Sequence, residues 1–268
     1  MPTTSCNGVR LQWAEKGSGS PLLLIMGHRY SSRLWYPALD VLAQRHRVIY
    51  FDNRGTGGSG YSLSVTIPEL ARDALAIMDA AGVKQAHVYG VSMGGCIAQE
   101  LALLQPERVL SLSLGCTALW SRETIKITWM LRALYYLPPA LLRLMLSRSR
   151  GGDLVYGSRA TPEAIKRDRA MVDSDPHTLL GLAAQAGALA NYVGDRERIA
   201  RLAMPVQVLH GTEDSVVLYR HGQDLAKVLG CELITFNGAG HNYYVAAAVE
   251  ANQAMLDFLE RVENRIPA

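Results

Sequence analysis

His87-Val88-Tyr89-Gly90-Val91-Ser92-Met93-Gly94-Gly95 is the stretch of this 268-residue chain on which the fold turns. An apolar run with strand character leads into it, and the helical spacing of Met93–Leu104 leads out. Between the two stands Gly90-x-Ser92-x-Gly94. A serine on so sharp a strand-to-helix turn takes a strained backbone that holds its hydroxyl above a sheet, and the flanking glycines keep side chains clear of neighbouring strands. The backbone N–H of Met93, opening the helix, points toward developing negative charge. As a bare pattern Gly-x-Ser-x-Gly is weak; the strand before and helix after it make Ser92 a candidate nucleophile. A dinucleotide-binding loop competes for the same stretch, but Gly90-x-Ser92-x-x-Gly95 lacks the middle glycine of that fingerprint.

Outward from this turn, short Val-, Ile- and Leu-rich runs recur at Leu22–Met26, Val48–Phe51, Leu110–Leu114, Val206–His210 and Leu233–Phe236. Each reads as a strand buried on both faces, the habit of a mostly parallel sheet. Helical patterns at Ile67–Ala80, His221–Leu229 and Val245–Val262 alternate with them, so the class is α/β with right-handed crossovers. Val9–Glu15 alternates and reads as an antiparallel edge strand. From 119 to 203 the alternation stops and helical spacing takes over, predicting a helical insertion between two halves of one core, 1–118 and 204–268.

A serine hydroxyl needs a base, and the base needs an orienting acid. Asp214 lies just beyond a strand in Val208-Leu209-His210-Gly211-Thr212-Glu213-Asp214, and His241 follows the next strand in Gly238-Ala239-Gly240-His241. The order Ser92, Asp214, His241 is the one that accompanies this kind of nucleophile turn. Glu213 rivals Asp214, but adjacent residues leaving a strand face different ways and Asp214 fits the loop better. Among the other histidines, His210 reads as packed or locally hydrogen-bonded, His46, His177 and His221 as surface residues, and His87 as the opening of a strand.

Composition excludes several classes. With 27 basic and 24 acidic residues the net charge is +3, and no clustered basic stripe marks a nucleic-acid binder. Cys6, Cys96, Cys116 and Cys231 form no CxxC pair, so neither a zinc site nor a redox motif is indicated. The N-terminus lacks a signal-peptide pattern, and the apolar runs fall far short of the ~20 residues that span a membrane. The expectation is a cytoplasmic protein with a small-molecule substrate, no membrane and no nucleic-acid partner; oligomeric state is not legible.

Taken together, five ordered features resemble an α/β-hydrolase fold serine hydrolase: Leu22–Gly27 followed by Ser31-Ser32 and Trp35; Asp52-Asn53-Arg54-Gly55-Thr56-Gly57-Gly58-Ser59; the Ser92 turn; Gly211-Thr212-Glu213-Asp214; and Gly238-Ala239-Gly240-His241. The resemblance covers nearly the whole chain and is similar in flavour to the esterase, lactonase and perhydrolase branches, including 3-oxoadipate enol-lactonase-like enzymes. It implies a mostly parallel eight-stranded sheet flanked by helices, with residues 119–203 as a cap over the site. It also implies an oxyanion hole built from backbone N–H groups of His28 and Met93. In the family a histidine usually precedes the conserved glycine; here Met26 replaces it and Gly27 is kept. The implied reaction is acyl transfer from an ester or lactone through Ser92, with no metal or organic cofactor. Arg29, Trp120, Trp129, Met130, Tyr135 and Tyr136 are candidate substrate contacts, with Met145 a further apolar cap residue. Carbon–carbon bond hydrolysis and cofactor-free perhydrolysis use the same constellation, and a few members of the fold are hormone-binding receptors.

Overall fold

In the computed structural model, residues 1–121 and 155–265 are described. Eight strands among them form one sheet: β1 (Thr3–Cys6), β2 (Val9–Lys16), β3 (Ser20–Ile25), β4 (His46–Phe51), β5 (Ala86–Val91), β6 (Val109–Gly115), β7 (Val206–Gly211) and β8 (Glu232–Phe236). Their order is β1-β2-β4-β3-β5-β6-β7-β8. β1 and β2 pair antiparallel, as do β2 and β4, and every later pairing is parallel. The sequence-based expectation of a mostly parallel sheet with an antiparallel edge therefore holds, with β1 added outside the strand at Val9.

All six residues of β5 are buried, as an apolar strand covered on both faces must be. On β3 the faces divide by parity. Leu23 and Ile25 pack on one side with α1 (Ile67–Ala80) and α2 (Met93–Leu104), and Leu22 and Leu24 on the other with Trp35, Leu42, Met255 and Leu259. α1 begins with a reciprocal cap in which Thr66 and Glu69 bind each other's backbone N–H groups, and its apolar positions Ile67, Leu70, Ala71, Ala74, Ile77 and Met78 face the core.

Between β6 and β7 the described chain carries α3 (Pro162–Asp173), α4 (Leu179–Asn191) and a short turn at Arg196–Ile199. Trp129, Met130, Tyr135, Tyr136 and Met145 lie outside the described residues. After β7 come α5 (Tyr219–Leu229), β8, a one-turn helix at Tyr243–Ala246, and α6 (Ala248–Glu263). The single helix expected over Val245–Val262 is thus interrupted at Ala247, whose ψ of 40° is not helical. One histidine departs from expectation: His46, read as a surface residue, is buried at the start of β4 with its Nε2 3.3 Å from Glu263 Oε1, because α6 crosses that end of the sheet. No helix among the described residues is long and apolar enough to cross a membrane.

The topology fixes where function can sit. From β3 the chain passes to β4 on one side, and β5 lies on the other, so the strand order reverses between β3 and β5. At such a point the connections at the carboxyl ends part and leave a crevice. Ile25 pairs with Gly90, and Val91 with Gly115, which sets the chain after β3 beside the turn after β5.

Candidate active site

Ser92 stands in that crevice with φ 55° and ψ −120°, a left-handed backbone that few non-glycine residues adopt. Surrounding bonds hold it there: Ser92 N–H donates to Gly115 O at 2.9 Å, while Ser92 O accepts from Gly95 N (2.9 Å) and Thr117 Oγ1 (2.8 Å). The need for glycine at 94 is steric. A Cβ there would run into the carbonyl of Ile25 and come within 2.8 Å of Met26 O. Gly27 measures how closely the post-β3 loop passes the serine: a Cβ at 27 would lie 3.1 Å from Ser92 Cβ and 3.7 Å from Ser92 Oγ.

The next residues of this loop are tied to the segment between β6 and β7. His28 Nε2 lies 3.2 Å from the Leu182 carbonyl, which offers only lone pairs, so the proton sits on Nε2. Arg29 has φ 79°, and its backbone N–H donates to Gln185 Oε1 at 3.0 Å. Ser31 donates its N–H to Asp175 Oδ2 at 2.7 Å and its hydroxyl to Asp175 Oδ1. On the other side Asn53 Nδ2 donates to Met26 O at 2.8 Å. The Asp52–Ser59 turn does structural work: Asp52 Oδ1 accepts from Ser32 N and Oγ, and Arg54 pairs with buried Asp73 at 2.7 Å.

Asp214 and His241 meet across the ends of β7 and β8. His241 Nδ1 lies 2.8 Å from Asp214 Oδ2. The Asp214 side chain is fully buried, and four donors surround it: Val216 N (2.8 Å) and Val217 N (2.9 Å) on Oδ1, His241 Nδ1 and His210 Nε2 (3.1 Å) on Oδ2. Burial alone would raise this carboxyl. The charge of His241 and hydrogen bonds from both histidines outweigh it and hold Asp214 well below the usual carboxylate range. An ionised Asp214 fixes the proton of His241 on Nδ1 and leaves Nε2 as an acceptor. Glu213 faces away: it is exposed, and Ser158 N and Oγ donate to it at 2.7 and 2.8 Å.

His210, expected from the sequence to be packed or locally hydrogen-bonded, is both. Its ring is wholly buried, its Nε2 reaches both Val217 O (2.8 Å) and Asp214, and only its position four residues before Asp214 hints at this. Trp120 is 3% exposed and donates its indole N–H to Leu189 O at 3.0 Å, packing α4 against the core. Among the described residues no group of three or more His, Cys, Asp or Glu side chains is arranged to hold a metal ion.

Known proteins share this architecture. The chain is 31% identical over 259 residues to a putative carbamate hydrolase RutD of Variovorax paradoxus, covering 91% of this chain and 93% of that one. A protein of the same name from Azorhizobium caulinodans is 44% identical over 115 residues, 42% of this chain and 43% of that protein's length. 3-oxoadipate enol-lactonase 1 of Acinetobacter baylyi is 27% identical, covering 78% of this chain and 76% of its own. The crystal structure of a hydrolase from Pseudomonas aeruginosa superposes with a TM-score of 0.81 at 28% identity, covering 96% of this chain and 97% of that one. The family model described as alpha/beta hydrolase fold matches residues 20–247, and the chain belongs to that family.

Proposed function

We propose that this protein is a serine hydrolase that cleaves small-to-medium hydrophobic carboxylic esters or lactones through an acyl-enzyme. The observation that carries the reading is the pairing of His241 Nδ1 with a buried, four-donor Asp214, at the same carboxyl end of the sheet as the left-handed Ser92. His241 Nε2 takes the proton of Ser92 as Oγ attacks the carbonyl carbon, and Asp214 orients and stabilises the imidazolium that forms. The oxyanion of the tetrahedral intermediate is received by the backbone N–H groups of His28 and Met93, each such donor lowering the barrier by ~3 kcal/mol. The imidazolium returns its proton to the leaving oxygen; water, activated by the same imidazole, then releases the acid and restores Ser92.

Residues 119–203 act in this reading as a cap, whose apolar side chains favour a hydrophobic acyl or ring portion at ~25 cal/mol per Å² removed from water. The enol-lactonase and hydrolase names among the relatives support ester and lactone chemistry. The name shared by two relatives favours a second substrate for the same machinery, a carbamate, whose carbonyl is attacked in the same way.

The test is a series of p-nitrophenyl esters from acetate to palmitate with simple lactones and an aryl carbamate alongside, followed by stopped flow. We expect a burst of nitrophenol and a specificity maximum near butyrate or hexanoate. Preference for palmitate or for strongly polar acyl groups would overturn the reading of the cap. Saturable binding without turnover of any member would overturn the hydrolase reading.

A further inference from the structure

We propose that Gln185, on α4, is a positioning residue for the oxyanion hole, so that the segment between β6 and β7 sets the catalytic geometry as well as covering the site. The inference rests on the acyl-transfer reading above. Gln185 is completely buried, and its amide is spent on two backbone partners from separate parts of the fold. Oε1 accepts the N–H of Arg29 at 3.0 Å, and Nε2 donates to the carbonyl of Arg54 at 2.7 Å. The amide therefore ties the post-β3 loop to the turn after β4 through a residue that belongs to neither.

The peptide that matters is Gly27–His28, whose N–H is the proposed oxyanion donor beside Ser92. The peptides on both sides of it are held by side-chain amides. Asn53 Nδ2 binds the carbonyl of Met26, before it, and Gln185 Oε1 binds the N–H of Arg29, after it. His28 adds a third tie through its ring to Leu182 O, again on α4. Arg29 needs such a tie, because its φ of 79° is a conformation that an L side chain keeps only where the surroundings over-determine it. Freed from Gln185, the His28–Arg29 peptide can turn toward ordinary φ values, and that rotation is transmitted directly to His28. A donor that moves by about 1 Å loses the geometry in which the oxyanion is bound, which corresponds to a rate loss of roughly 10²-fold. Ground-state binding, which does not use the hole, is left alone.

Gln185→Met keeps the length of the side chain and removes both hydrogen bonds. The assay compares kcat/KM for p-nitrophenyl butyrate with the inhibition constants of two ketones of one shape, a trifluoromethyl ketone that adds to serine as an oxyanion and a methyl ketone that binds unreacted. We expect kcat/KM and trifluoromethyl ketone affinity to fall together, by 10- to 100-fold, with methyl ketone affinity changed less than threefold. Equal losses for both ketones, or no loss for either, would overturn the role of Gln185. Should Gln185→Met be insoluble, Gln185→Asn carries the same expectation, since an amide one methylene shorter cannot span Arg29 N–H and Arg54 O. Native protein that neither hydrolyses the ester nor binds the trifluoromethyl ketone would remove the acyl-transfer reading itself; native turnover with an unchanged ratio in the variant removes only the inference about Gln185.

Discussion

Asp214→Asn separates the acid of the site from its neighbour and has a cost that can be worked from the hydrogen bonds. The carboxylate accepts from two backbone N–H groups on one oxygen and from two imidazoles on the other. Asparagine has one oxygen, so either orientation turns an NH2 group toward two donors. If it faces Val216 and Val217, two buried N–H groups lose their acceptor. If it faces the histidines, His241 must carry its proton on Nε2, where it cannot take the proton of Ser92. At ~1–3 kcal/mol for each buried polar group left unpaired, the two orphans of the first orientation predict a stability loss of about 2–6 kcal/mol. The second orientation avoids those orphans at the expense of turnover, which should fall by roughly 10⁴-fold, the scale of a base held in the wrong tautomer. Glu213→Gln, on an exposed carboxylate bound only by Ser158, should stay within about 0.5 kcal/mol in stability and keep near-native turnover. Denaturant unfolding and p-nitrophenyl butyrate hydrolysis read both effects. Turnover of Asp214→Asn within tenfold of native, or a crippled Glu213→Gln, would refute the assignment.

Gly94→Ala drives a methyl group into the Ile25 backbone; we expect at least ~10²-fold loss of kcat/KM as the Ser92 turn shifts, with a destabilisation of about 1–3 kcal/mol in thermal unfolding. His28→Ala removes the ring bond to Leu182 and leaves the backbone donor, so parallel kinetics should show a loss below tenfold, against several orders of magnitude for His241→Ala. Burial depresses the pKa of His87 from 6.5 to about 4, beside His46 and Glu263. The folded chain then stays neutral at His87 where the unfolded chain takes up a proton, so stability is intact above pH 6.5 and falls as pH drops toward 4. At ~1.4 kcal/mol per unit the fall approaches about 3 kcal/mol, and His87→Asn should flatten it in urea unfolding measured between pH 4 and 7.

Local pattern carried the parts of this molecule that local physics decides. The apolar run into Ser92, the glycines around it and the helical spacing beyond it are all requirements of one turn, and they are adjacent in the chain. The choice of Asp214 over Glu213 followed from the alternation of side chains leaving a strand, and the two residues do face opposite ways. What was not legible is long-range and polar. Gln185 meets Arg29 and Arg54, and Asp175 meets Ser31, across more than a hundred residues, and a buried hydrogen bond of that kind leaves no periodicity behind. His210, read as packed or locally hydrogen-bonded, is both, but a strand-end histidine looks alike whether it packs idly or supports a carboxylate. The break at Ala247 was invisible because an alanine-rich stretch has good helix propensity on either side of it. Trp120, a candidate substrate contact, donates its indole N–H to Leu189, and aromatic spacing alone does not separate packing from substrate contact.

The central claim is that Ser92 is the nucleophile, and covalent labelling tests it most directly. Native protein treated with a fluorophosphonate, digested and mapped by mass spectrometry should carry a single stoichiometric adduct on Ser92. Label and ester turnover should vanish together in a folded Ser92→Ala protein. A stoichiometric adduct on another residue, or native turnover persisting in Ser92→Ala, would contradict it.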